Sequence, residues 1–192
     1  MTETADSKAD VDRRIGLATG VAGNLAVIWR SKDIGLMTKT RLYKALVLSV
    51  LLYNAETWTM TEEIGRKLLV FEMAVLRRIA GISRWDRRRN VDIRRGLEIN
   101  RDVVNQVQSR RLSYFGHVVR MSPNRIPNIM LYGRVHGKRP VGRPKKRWLD
   151  NVRDHCKILG LTVEKADQLA RDQARWSSVT RLFERVDLSR SE

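Results

Sequence analysis

The sequence predicts a mainly α-helical chain: a small helical bundle followed by a basic helical extension that contains an irregular Pro/Gly/Arg-rich loop or hairpin. Apolar residues return every three and four positions along successive segments, the repeat that gathers them on one face of a helix. Capping residues and glycines stand at the ends of those segments. With 42% hydrophobic residues, among them 5 Trp, 4 Tyr and 3 Phe, the chain also holds enough apolar side chains for a folded core.

The first segment carries Val11, Ile15, Ala18, Ala22, Leu25 and Ile28 on one stripe, weakened by Gly16, Gly20 and Gly23. The second, from about Thr38 to Tyr53, aligns Leu42, Leu46, Val50 and Tyr53, with Ala45, Ser49 and Leu52 beside them. It is apolar over most of its circumference in its second half and is expected to be the buried helix. Thr59 and Glu62 have capping-box spacing and open a third helix through Ile64, Leu68, Phe71, Val75 and Ile79, which Gly81 closes in a left-handed conformation. These three form a bundle over residues 1–82.

The texture then changes to RWDRRRN, residues 84–90, which marks the junction with a second region, residues 83–192. There Asn90 is expected to cap a short helix ending near Gly96. Asn100 is expected to cap a longer one through Val104, Val107, Arg111, Phe115 and Val118, ended by Ser122 and Pro123. Three prolines and three glycines between Asn124 and Pro144 predict a loop or irregular hairpin. Trp148, Val152, Cys156 and Leu159 trace another helix closed by Gly160, and Thr162 caps the last one, through Ala166, Leu169, Trp176 and Phe183.

Charge is distributed unevenly along this frame. The chain has 38 Lys plus Arg against 21 Asp plus Glu, a formal net charge of +17. Residues 77–153 hold 21 basic and 5 acidic residues, a balance of +16, which leaves +1 for the rest. Such an excess repels itself in a compact chain and is expected where a polyanion neutralises it. A single cysteine excludes an internal disulfide. The longest apolar stretch, from Ala45 to Tyr53, is half of the roughly 20 residues a bilayer span needs. The polar start MTETADSKAD is unlike a secretory signal. A soluble intracellular chain with no membrane partner is the expectation.

Catalytic chemistry finds little to work with. Polymerases and nucleases hold two divalent metals on clustered carboxylates, yet the chain has no Asp-Asp pair, and Glu62 with Glu63 serves a helix start. His117, His136, His155 and Cys156 lack metal-ligand spacing, so they read as surface histidines and a core thiol. No metal or cofactor is expected.

Two segments point to nucleic acid. KRPVGRPKKRW, Lys138 to Trp148, has six basic residues and no acid, with two prolines that hold the backbone extended. Lys138, Arg139, Arg143, Lys145, Lys146 and Arg147 are candidate phosphate contacts, and Gly142-Arg143-Pro144 could enter a narrow minor groove. A solvated loop needed only for solubility is the alternative. Basic clusters of this kind also serve as nuclear import signals, which makes the nucleus the expected location. In QSRRLSYFGHVVRM, Arg110 and Arg111 precede Tyr114 and Phe115, a pattern suited to phosphate contact with base stacking. Arg110 is the better candidate, since Arg111 lies near the apolar stripe. Phe115 reads as core, and Tyr114 stands between core and stacking platform.

Taken in order, KTRLYKALVLSVLLYNAETWTMTEE, FEMAVLRRIAGISRWDRRRN, RRLSYFGHVVRM, GKRPVGRPKKRWLDNV and ARDQARW resemble the part of the LINE-type, non-LTR retrotransposon reverse transcriptase that follows the catalytic palm. Order and spacing agree over about residues 10–178. The resemblance implies that residues 1–82 are thumb-like, gripping a template–primer duplex, and that residues 83–192 are a basic extension that helps hold RNA and target DNA. A reverse transcriptase palm in a full-length polyprotein is then an implied partner. The family's Tyr/Phe-Ala-Asp-Asp motif, palm, fingers and endonuclease are missing from the sequence, so no polymerase residue carries over. The expected function is binding of RNA or DNA phosphate backbones without sequence preference, with no enzymatic activity by itself. Two alternatives stay open: a thumb segment active only when joined to a palm, and a retrotransposon relic or helical protein-interaction scaffold. A fragment, a degenerate copy and a host-adopted remnant are all compatible with the resemblance.

Overall fold

The computed structural model describes residues 7–133, 142 and 146–190 and is mainly α-helical, with no strand among them. Its contacts divide the chain into two compact units. One comprises Met1–Ala55, Met60–Val107 and Leu188–Glu192, the other Glu56–Thr59 and Gln108–Asp187. The contact division runs through a helix. The short helix after the RWDRRRN segment packs on the helix before it.

In the first unit, α1 (Ser7–Asn24) buries Val11, Ala18 and Ala22. Leu25 leaves helical geometry, and α2 (Ala26–Arg30) follows as a separate turn, so the single first helix of the sequence reading is two. Trp29 is buried, its indole N–H donating to the Ala22 carbonyl at 2.9 Å. The end of α2 is closed by a side chain from further on. Lys39, also buried, donates its ammonium to the carbonyls of Trp29 (2.9 Å) and Ser31 (2.7 Å). A cation at a helix C-terminus satisfies orphan carbonyls and meets the negative end of the dipole.

The apolar second segment is helical from α3 (Leu36–Leu42) through a π-helical stretch (Tyr43–Leu48) into α4 (Ser49–Leu51). The expected buried line is corrected here. Tyr43, Val47, Leu48, Leu51 and Leu52 face inward, whereas Leu46 and Tyr53 are exposed. A π turn adds a residue to the α period and rotates the face that follows. With apolar side chains over most of the circumference of its second half, the helical period alone does not choose the face.

Helix α5 (Glu62–Ala80) is capped by Thr61, whose hydroxyl accepts from the Ile64 amide, in place of the predicted Thr59. It ends as expected at a left-handed Gly81 (φ 66°), where the Ile82 amide reaches back to the Arg77 carbonyl. Eight of its residues are buried, Glu72 among them. Helix α6 (Asn90–Gly96) docks through Ile93 and through Arg94, which donates to the Glu72 carboxylate at 2.7 and 3.2 Å. Asn90 is the first residue of α6 and does not cap it. Its side-chain oxygen instead accepts from Arg77.

Helix α7 (Val103–Val119) runs across the division between the units. Asp102, and not Asn100, supplies its start, accepting from the Asn105 amide at 2.8 Å. In the second unit α7 is joined by α8 (Ile126–Tyr132), α9 (Trp148–Ile158), α10 (Val163–Ala170) and α11 (Gln173–Arg190). Helix α8 corrects the expected loop after Asn124, and it begins at Ile126-Pro127, where a missing N–H is harmless. Thr162 caps α10 as predicted. The predicted last helix is two, because Asp172 accepts from the amides of Ala174 and Arg175 and restarts the chain as α11. Leu112, Phe115, Val152, Cys156, Trp176 and Phe183 form the centre of this core. Trp176 lies so close over Gly116 that a Cβ there would enter its ring, and its indole donates to the Leu112 carbonyl at 2.8 Å.

Candidate nucleic-acid interface

Of the nine residues singled out in the sequence, Lys138, Arg139, Arg143 and Lys145 lie outside the described residues. The other five belong to the second unit. Arg110 is exposed on α7. Arg111 is a correction, because its side chain is fully buried and donates to the Trp58 carbonyl at 2.9 Å, leaving Nε and Nη1 without partners. An exterior phosphate cannot reach it. Adjacent residues of a helix point about 100° apart, so Arg110 faces outward while Arg111 faces the core, and burial lowers the Arg111 pKa to about 10, still charged at neutral pH.

Tyr114 is half-buried, its ring edge-on to Trp148 at 6.1 Å. Trp148 opens α9 and packs on Phe115, while its indole N–H donates to the Glu56 carbonyl at 2.8 Å. Tyr114, Trp148, Val118, Met130 and Arg147 are among the residues that line a cleft of about 460 Å³. An aromatic wall beside a guanidinium suits a flat ring that carries negative charge nearby.

Lys146 and Arg147 are exposed but engaged. Lys146 is 2.8 Å from Asp154. Arg147 stands at the N-cap of α9, where its amide donates to Asp150 at 2.9 Å and its guanidinium reaches both Asp150 oxygens. Arg153 adds a contact at 2.8 Å. These bonds, Arg147 foremost, hold the Asp150 carboxyl down to about 2. Exposed pairs of this kind are weak.

The soft ligands are scattered. Cys156 is a buried thiol, pushed up to about 11 by burial. His155, expected at the surface, is buried against Phe183, and burial with the Arg111 charge pushes it down to about 3. His117 is exposed and His136 lies outside the described residues. Among the described residues no three His, Cys, Asp or Glu gather as a metal site, and no helix is long and apolar enough to cross a membrane.

The sequence reading passed over the first unit's own cationic feature. Residues 84–89, read only as a junction, are exposed throughout. A tryptophan among four arginines was the available signal.

Comparison with known proteins shows a likeness to a transposon-derived protein. The chain is 29% identical, over 151 residues, to an uncharacterized transposon-derived protein of Caenorhabditis elegans, a match that covers 74% of this chain and 54% of that protein. The chain therefore spans about half the length of its relative. No protein-family model matches it, and no solved structure does.

Proposed function

We propose, from this likeness to a transposon-derived protein and from the placement of charge, that the chain binds RNA and DNA backbones without sequence preference, as the post-palm portion of a LINE-type reverse transcriptase does. The charge carries the reading: +16 of the net +17 falls in residues 77–153. Arginine and lysine contacts to phosphate confer affinity and steep salt dependence but read no base. Lys146, Arg147 and Arg110 are the described candidates, with Lys138, Arg139, Arg143 and Lys145 continuing the strip in sequence. Catalysis is assigned to other domains of such a polyprotein, and the nucleus is the proposed location. The test is a filter-binding titration of the purified chain with unrelated RNA and DNA sequences. Affinities should be similar and should fall by about three to five decades between 50 and 200 mM salt if six to ten phosphates are neutralised. An absent or salt-insensitive interaction overturns the proposal.

A further inference from the structure

The loop that joins α5 to α6 holds the most exposed tryptophan of the described chain. Trp29, Trp58 and Trp176 are buried and Trp148 is half-buried, whereas Trp85 is 91% exposed. Exposing so large an apolar ring to water is unfavourable unless something covers it. Its neighbours say what kind of surface that is. Residues 84–89 contain Arg84, Arg87, Arg88 and Arg89 against Asp86 alone, all of them exposed. None of the four arginines takes part in an ion pair among the described residues.

The loop is held from below. Arg77, on the last turn of α5, donates to the carbonyls of Ser83 (3.3 Å) and Arg88 (3.0 Å) and to the side chain of Asn90 (3.0 Å). Within the loop the Ser83 amide donates to Asp86 at 2.6 Å, and the Trp85 amide donates to the Ser83 hydroxyl at 3.2 Å. Arg87 takes a left-handed φ of 48°, which turns the chain tightly beyond the tryptophan. The one acidic side chain is thereby committed to the backbone, and the crown of the turn presents an indole among guanidinium groups.

We propose that this loop is a binding site for single-stranded nucleic acid, in which Trp85 stacks on an unpaired base while Arg84, Arg87, Arg88 and Arg89 hold the flanking phosphates. The assignment rests on the reading of the chain as a nucleic-acid binder and adds a strand preference to it. Clustered guanidinium groups select phosphate. A flat aromatic face adds affinity only where a base is free to leave its stack, as in single strands, and does so for every base alike. In a duplex the arginines would still find phosphates, but the indole would gain no partner. Arg77 positions the loop without touching the ligand.

Trp85→Ala and Trp85→Phe variants of the full chain are compared with the wild type on three ligands: an oligothymidylate, the same oligomer with abasic sites, and a duplex of equal length. Circular dichroism melts should be unchanged, since the indole is in solvent. Trp85→Ala should lower affinity for oligothymidylate on the order of tenfold. Its affinity for the abasic strand and the duplex, and its salt slope, should stay the same, and Phe should restore most of the loss. Equal affinity of wild type and Ala variant for oligothymidylate, or an equal loss on all three ligands, overturns the inference while general binding stands. Absence of wild-type binding to any ligand overturns both readings. A Trp85-dependent association with phosphatidylserine vesicles but not with oligothymidylate would assign the loop to a membrane surface and also overturn it.

Discussion

Gly116 and Gly65 show how the same residue type carries opposite constraints. Both lie within long helices, where glycine is worse than alanine by about 1 kcal/mol. At Gly65 a new Cβ would meet Val104 and Met60 at ordinary distances of 3.8 and 3.9 Å. At Gly116 it would enter the Trp176 ring. Gly65→Ala should therefore stabilise by up to about 1 kcal/mol, while Gly116→Ala should destabilise by about 1–3 kcal/mol despite the better propensity. Urea melts of the two variants give the comparison, and a Gly116→Ala variant as stable as wild type would mean that Trp176 does not lie where it is described. The sequence marks both glycines identically, because the reason for one of them sits some sixty residues further on. The same limit explains Arg111 and His155. Arg111 lies near an apolar stripe and His155 reads as a surface residue, but only packed helices decide that both go inside. Gly81 and Thr162 were legible since their causes are local.

Helices follow the same division between local and distant causes. The third helix was readable from end to end apart from its cap. The second is legible as a helix, but its buried face is not, because a π turn intervenes and its second half is apolar over most of its circumference. What joins α6 to α5 was not readable at all, since it is a buried carboxylate, Glu72, meeting Arg94. Its consequence is a pH dependence. Burial, against the opposing pull of Arg94, raises the Glu72 pKa from 4.5 to about 7. Between those values the native state keeps a proton that the unfolded chain has released. The stabilisation is therefore complete below pH 4.5 and is lost as pH rises through about 7. Relative to a Glu72→Gln variant, the wild type should lose on the order of 3 kcal/mol from pH 4.5 to above 7. His155 acts with the opposite sign, its contribution lost as pH falls from 6.5 toward about 3. Paired urea melts of wild type and Gln variant isolate the Glu72 contribution, and a difference that stays flat with pH would show that the carboxyl is not buried as described.

For the molecule as a whole, the charge excess was the most legible property, and the sequence located it in one block. What it concealed is that part of the block is already occupied. Lys146 and Arg147 rest on Asp154 and Asp150. An Asp150→Asn, Asp154→Asn double variant should bind duplex DNA more tightly than wild type. Its log-log salt slope should steepen by at most about two if both cations are released to phosphate. An Asp10→Asn, Asp12→Asn control changes net charge equally, away from the strip in sequence, and should gain less. Equal gains in the two variants would reduce the effect to net charge alone. Under the proposed function the two aspartates would act as a built-in decoy. A tethered carboxylate competes at the millimolar effective concentrations typical of short linkages, so a lone acidic side chain on another protein gains nothing by exchange. On the proposed reading, a backbone that offers several phosphates at once would displace both, and the strip would ignore sparse negative charge and answer to dense charge.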